Sequence, residues 1–211
     1  MTHRSHPDLL VLHSLRLKGF AEAAAVSEAT AVDEAEVAGR LAVFEARDLI
    51  KRRDGRVSGF LLLPAGKEHH ATLLAHDRAA ADADAEIEAG YGRFLVTNET
   101  FKQLCGDWQL RDVDGASVAN DHSDAAYDAA IADRLAALHT EVAALVDGLA
   151  ATMARFGPYA PRLQDAADRF VGGDPGALAR PLARSYHDVW MELHEDLLVT
   201  LERQRDATDG Y

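Results

Sequence analysis

Side chains that can bind a ligand share one face of a helix predicted near the end of the sequence. They are spaced at i, i+3, i+4 and i+7, and they are His187, Trp190, Met191 and His194. Residues at this spacing are neighbours on one face of an α-helix. The indole and the thioether offer apolar surface and the imidazoles add hydrogen bonds, which suits a small molecule or, through the imidazoles, a metal. The pattern also fits an ordinary core in which nearby carboxylates bond the histidines.

Two residues outside this helix are predicted to complete a ligand site. Trp108 and His122 are included because residues 120–122 form a polar loop that could fold over the helix. An acid–base enzyme is a further alternative, with a set drawn from Asp107, Asp121, His122, His187, Glu192 and His194. The sequence has neither a nucleophile elbow nor a glycine-rich phosphate loop, so no catalytic residue is assigned and the protein is predicted not to be an enzyme.

A metal site is weighed against the effector domains of GntR-type regulators, in which an Asp-x3-His pair and two later histidines hold the ion. The segment NETFK has a similar frame, but Asn98 and Lys102 stand where the ligands are needed. A charged lysine cannot ligate a metal. We therefore expect no metal and no other cofactor. The lone cysteine, Cys105, also excludes an internal disulfide, and its apolar neighbours favour a buried thiol.

A second candidate site is a cluster of basic residues in the first third of the chain. DNA binding is predicted for Arg40, Arg47, Lys51, Arg52, Arg53 and Arg56. The chain has a net charge of −13, but residues 1–63 are neutral, with nine Lys or Arg and nine Asp or Glu. A local basic patch on an acidic protein is typical of one-sided contact with DNA phosphates. The alternative is a solvated strand edge, where charges prevent edge pairing.

Periodicity and turn signals predict the elements that carry the basic cluster. Three helices are predicted before residue 50, and the third begins with a capping box at Asp33 and Glu36. Asp54-Gly55 is a strong hairpin signal, so residues 51–63 are predicted to form two short antiparallel strands. Three helices and a hairpin therefore precede the acidic part of the chain.

The segment EARDLIKRRDGRVSGFLLLPAGKE resembles the winged-helix domains of MarR-type bacterial regulators. Such domains show a helix, an apolar pair, a basic strand, a DG turn, and a second strand that ends in a Leu-Pro-x-Gly run. The resemblance implies that the third helix enters the major groove and that the hairpin lies as a wing against a phosphate backbone. The later runs DWQ, NDHSD and SYH are similar to those of actinobacterial winged-helix proteins with helical tails, which implies a transcriptional regulator.

The third helix departs from this pattern, because Asp33, Glu34 and Glu36 crowd its first turn. Carboxylates there complement the helix dipole but repel DNA phosphates, so the hairpin is expected to dominate any contact. Winged helices also serve as protein-interaction modules. Related modules accompany phosphoenolpyruvate-utilising dikinases. An accessory module of a metabolic enzyme, without DNA binding, is therefore the alternative function.

The remainder of the chain is predicted to be entirely helical. Gly90 and Gly92 are expected to end one long helix, and residues 112–124 are expected to form a loop. The expected helices cover residues 65–89, 93–110, 124–155, 161–170 and 183–205. The predicted fold class is mostly α, with a winged helix over residues 8–64, a connecting helix over 65–90, and an α-helical dimerisation and effector domain over 91–205.

The expected partners are double-stranded DNA, a second copy of the chain and a small-molecule effector. A homodimer is expected because two-fold operators require one. No apolar run approaches the roughly 18 residues needed to cross a bilayer, and no signal core follows the first residues. We therefore predict a cytoplasmic protein without membrane contact.

Overall fold

The computed structural model describes residues 2–55, 57–113 and 115–204. In chain order its elements are α1 (Pro7–Lys18), α2 (Ala23–Thr30), α3 (Glu34–Ala46), β1 (Ile50–Arg53), β2 (Gly59–Leu62), α4 (Pro64–Ala81), α5 (Asp84–Gln109), β3 (Leu110–Val113), β4 (Ala116–Ala119), α6 (Ala125–Thr152), α7 (Tyr159–Val171), α8 (Gly176–Ala179) and α9 (Tyr186–Thr200). A turn of 3-10 helix, Ala154–Phe156, joins α6 to α7. The predicted mostly α fold is confirmed over this part of the chain.

The first five elements form a small unit with its own core, to which α1, α2, α3 and the hairpin all contribute. β1 and β2 pair antiparallel, with Ile50 opposite Leu62. Ala21, between α1 and α2, bridges to this hairpin, because the N–H of Phe60 donates to the Ala21 carbonyl at 2.8 Å. The predicted order of three helices followed by a hairpin is confirmed.

α4 begins directly after β2 and crosses the start of the hairpin at very short range. The N–H of Leu63 donates to the Leu49 carbonyl at 2.9 Å. Gly66 lies over the same carbonyl, and a Cβ at this position would lie 1.9 Å from the Leu49 oxygen. The glycine of the Leu-Pro-x-Gly run is therefore required by the approach of α4 to the backbone.

The chain departs from the single helix predicted over residues 65–90. α4 ends at Ala81, and Asp82 adopts a left-handed conformation with φ 47° before α5 begins. Aspartate tolerates this conformation better than most residues. Gly90 and Gly92, which were expected to mark the break, lie inside α5. A Cβ on Gly90 would approach the Leu149 side chain of α6 to 2.5 Å, so this glycine permits close helix packing.

The prediction of no strand beyond residue 64 is wrong. β3 and β4 pair antiparallel within the segment expected to be a loop, with Leu110 opposite Ala119. Gly115 takes φ 83° at the turn between them. Nearly every residue of both strands is exposed, so the alternation of buried and exposed positions that identifies a strand is missing.

The remaining helices build one large core. α5 packs along α6, α6 contacts α7, and α9 packs against α7, α8 and α5. α9 begins at Tyr186 rather than at residue 183, because Ser185 and Asp188 form a capping box. It ends at Thr200, and residue 205, its predicted end, lies outside the described residues.

One helix in the described part of the chain, α6, is long and apolar enough to cross a membrane, with a mean hydropathy of 1.2 over 18 residues. The sequence was expected to contain no such stretch. α6 packs against α5 and α7, and its Ile131, Leu135, Leu138 and Val142 side chains are buried there, although only 33% of the apolar window is buried. The core helix of a soluble bundle has the same length and composition, so these two properties alone are weak grounds for a membrane span.

Candidate functional site

β1 presents the basic cluster on the outside of the hairpin. Lys51, Arg52 and Arg53 are all exposed. Because neighbours on a strand alternate, Lys51 and Arg53 lie on one face and Arg52 lies on the other. Arg52 donates to Asp54 at 2.8 Å, whereas Lys51 and Arg53 have no ion-pair partner among the described residues. Arg56, the fourth basic residue predicted for this hairpin, lies outside the described residues.

The exposed surface of α3 differs from that of a helix that reads DNA bases. Arg40 is held by ion pairs with Asp8 and Glu36, and its hydrogen bond to Glu36 raises the pKa of the guanidinium above its usual range. Arg47 follows the last turn of α3 and is exposed. The exposed positions within the helix are Glu34, Ala35, Glu36, Ala38, Gly39, Ala42, Val43, Glu45 and Ala46. None of these side chains offers a hydrogen-bond donor.

A cavity of about 450 Å3 lies between α5 and α9. Four of the six residues predicted to bind a ligand line it, and they are His187, Trp190, Met191 and His194. Phe101 of α5 lies 5.3 Å from Trp190, measured between ring centroids. The indole N–H of Trp190 donates to Asn98 at 2.8 Å, which fixes the orientation of the ring. The helical spacing of the four residues therefore does place them around a common space.

Burial keeps the walls of this cavity almost without charge. It lowers the pKa of His187 below its usual value, so the imidazole is neutral near pH 7. Burial also raises the pKa of the Cys105 thiol to about 12, which leaves it protonated and unreactive. Lys102 is the one lysine in the lining, and its ammonium lies 3.1 Å from Glu99.

Trp108 and His122, the other two predicted ligand residues, lie in a separate cluster. Their rings are 4.2 Å apart, and Trp108 also packs edge-on against Phe170 at 4.9 Å. His122 is 3.0 Å from an oxygen of Asp128, near the start of α6. The polar loop thus covers Trp108 rather than α9, and the expectation that these two residues join the cavity is wrong.

The candidate acid–base set is dispersed over the body. Asp107 pairs with Arg134 at 2.7 Å, and Glu192 pairs with Lys18 and Arg162. Across the described residues, no group of three or more His, Cys, Asp or Glu side chains is placed to hold a metal ion.

A buried polar network joins the N-terminal unit to the helical body, and the sequence analysis missed it. At its centre is Asp196 of α9, which accepts hydrogen bonds from His13 of α1 at 3.0 Å, from Tyr159 at 3.0 Å, and from Arg155. His13 is in turn 2.8 Å from His70 of α4. All five side chains are buried. A histidine and an aspartate inside the apolar faces of α1 and α9 were the only sequence signal of this network.

The charges in this network determine how it titrates. Burial alone would raise the pKa of Asp196, but Arg155 and His13 outweigh it and hold the pKa of that carboxyl below its usual range. Burial, together with the same carboxylate, raises the pKa of Tyr159 well above its usual value. Asp196 and Arg155 are therefore an ion pair at neutral pH, and each needs the other because both are buried.

The buried network predicts acid sensitivity. Burial, followed by the nearby His13, lowers the pKa of His70 to about 3. Between about pH 6.5 and pH 3 the unfolded chain binds a proton at this residue that the folded chain does not, so stability falls as the pH falls. We expect His70→Gln to remove about 1 kcal/mol per pH unit from the slope of unfolding free energy against pH in this window.

Urea unfolding at several pH values measures this slope. His76→Gln is the matched control, since His76 lies on the same helix but is exposed. Equal slopes in the wild-type protein and in His70→Gln would contradict the assignment.

Comparison of the chain with protein-family models, with curated proteins and with solved structures finds no match in any of the three.

Proposed function

We propose that this protein is a DNA-binding transcriptional regulator that contacts duplex DNA mainly through the β1–β2 hairpin. The observation that carries the proposal is the exposure of three consecutive basic residues, Lys51, Arg52 and Arg53, on β1. They belong to an N-terminal stretch of zero net charge in a chain of −13. Phosphate binding needs such a local surplus of cations, and the acidic body keeps the rest of the surface away from DNA.

The order of elements supports a winged-helix interpretation of the N-terminal unit. Three helices precede an antiparallel hairpin, and the bridge from Ala21 to Phe60 adds the short strand segment between the first two helices. In this interpretation the hairpin is the wing and α3 faces the major groove. The helical body supplies dimerisation and an effector site.

The wing is the main DNA contact in this proposal, because α3 exposes few hydrogen-bond donors or positive charges to DNA. Its exposed side chains are small or acidic, and Arg40 is already paired with Asp8 and Glu36. Contacts would come from Arg47 at the end of α3 and from the strand residues Lys51 and Arg53. About three phosphate contacts give a slope of log affinity against log salt of about −3 for one protomer.

We expect Lys51→Glu combined with Arg53→Glu to weaken DNA binding at least tenfold at about 50 mM salt. The two side chains share an exposed strand face, so the substitutions leave the core intact. Fluorescence anisotropy with a labelled duplex measures the affinity. Arg134→Glu combined with Arg180→Glu makes the same change in net charge on exposed residues of the body and is expected to have a much smaller effect.

Two outcomes of this experiment count against the proposal. One is an absence of binding by the wild-type protein at low salt. The other is an equal loss in the two charge-reversed variants, which would reflect net charge and not the hairpin. Selection from a genomic fragment library then tests sequence preference. A two-fold dimer should place its two hairpins about 34 Å apart, which is one turn of DNA.

A protein-interaction module is the second candidate function, and the surface of α3 favours it. Val43 is 54% exposed and lies among exposed alanines and one glycine, with glutamates around them. Such a surface suits close contact with another protein better than contact with phosphates. Stoichiometric co-purification with an enzyme, abolished by Val43→Glu and unaffected by the hairpin substitutions, would support this function over DNA binding.

A further inference from the structure

We propose that the cavity between α5 and α9 binds a flat aromatic anion, about the size of two fused rings. The inference deepens the effector role in the proposed function, since it names the class of ligand. It rests on the walls and the charge of the cavity and does not depend on contact with DNA.

The shape and the walls of the cavity suit a planar apolar body. Its volume of about 450 Å3 lies within the usual range for small-molecule sites. Phe101 of α5 and Trp190 of α9 both line it, and the ring of His187 lies 6.1 Å from that of Phe101 at an angle of 29°. Met191 adds a polarisable thioether, which packs well against aromatic edges. Flat rings gain both apolar burial and ring contacts in such a site.

The charge of the lining selects for an anion. The chain contains 35 Asp and Glu residues, yet none of them lines this cavity. Lys102 does line it, and Glu99, the nearest carboxylate, lies one helical turn earlier and outside the lining. His187 is neutral, and the amide of Gln109, which also lines the cavity, can donate a hydrogen bond. An anionic group beside Lys102 would replace Glu99 as its partner.

The cavity also has a physical connection to the N-terminal unit. His187 and Met191 line, on their other side, a cleft of about 680 Å3 between the helical body and the N-terminal unit. Across that cleft lie Phe20 and Val57, the second of them in the turn of the basic hairpin. A ligand that moves either shared side chain therefore changes the surface that faces the hairpin.

Isothermal titration calorimetry with three matched compounds tests the ligand class. The compounds are 2-naphthoate, its neutral amide, and the corresponding naphthylmethylammonium ion. We expect naphthoate to bind at least tenfold more tightly than the amide and the ammonium ion to bind most weakly. Lys102→Met should reduce the naphthoate-to-amide ratio to nearly one, whereas Lys67→Met, at an exposed lysine of α4, should leave it unchanged.

A blocked variant tests the location. Gly106 lines the cavity, and a Cβ there meets no atom within 4 Å, so Gly106→Leu can enter the space without a clash. We expect it to abolish binding of all three compounds. Gly92→Leu is the matched control, because Gly92 also lies in α5 with open space around it but is not part of the lining.

Three outcomes would overturn the inference. They are an absence of binding by all three compounds, equal affinity for the acid and the amide, and unchanged binding in Gly106→Leu. The titrations contain no DNA, so such a failure leaves the hairpin proposal standing. A failure to bind DNA likewise does not count against the proposal for the cavity.

Discussion

Asp196→Asn is expected to lower the free energy of unfolding by about 3–5 kcal/mol, which is a large share of the stability of a typical domain. The carboxylate is 2% exposed and accepts hydrogen bonds from Arg155, His13 and Tyr159. Its replacement by an amide leaves the guanidinium of Arg155 buried without a counter-charge. A buried ion that loses its partner costs far more than the intact pair contributes.

Denaturant unfolding monitored by circular dichroism measures the effect of Asp196→Asn. Asp165→Asn is the control, since Asp165 also pairs with an arginine, Arg169 at 3.1 Å, but is 57% exposed. Exposed pairs contribute little, so the control should change stability by less than about 1 kcal/mol. A similar loss in both variants would show that burial does not determine the role of Asp196.

Gly66→Ala is expected to lower the free energy of unfolding by about 2–4 kcal/mol. The added Cβ would lie 1.9 Å from the carbonyl oxygen of Leu49. The obstacle is backbone, so no side-chain rotation can relieve it, and either α4 or the start of β1 must move. That movement would also disturb the hydrogen bond from Leu63 to Leu49.

Gly39→Ala is the matched control for this substitution. Gly39 lies in α3, and a Cβ there would meet no atom within 4 Å. Alanine has the higher helix propensity, so this variant should gain about 0.5–1 kcal/mol. The two glycine substitutions are thus expected to have opposite signs. A gain in stability for Gly66→Ala would contradict the close approach of α4 to Leu49.

Local patterns in the sequence predicted the elements whose signals are local. α3 begins at the Asp33 cap, and Asp54-Gly55 lies within the longer connection between β1 and β2, because caps and turns depend on residues that are close in the chain. The four ligand candidates on α9 surround one cavity because helical spacing alone places them on one face. In each case the physical cause acts over eight residues or fewer.

The features that sequence reasoning missed depend on contacts between distant residues. Gly90 resembles a helix breaker, but its role is set by Leu149 on another helix. Trp108 and His122 were assigned to the cavity because nothing local shows which side of the body their loop covers. The bond between His13 and Asp196 joins residues 183 positions apart. A polar residue within an apolar pattern indicates a buried hydrogen bond, but it does not identify the partner residue.

The hydrogen-bonded charges between α1, α4 and α9 also constrain how this chain can be rearranged during evolution. His13 and His70 come from one side of the boundary and Asp196, Arg155 and Tyr159 from the other. Recombination that joined this N-terminal unit to a different helical body would leave buried polar groups on both sides without their hydrogen-bond partners. The unit that carries the hairpin therefore depends on this helical body for the hydrogen-bond partner of His13.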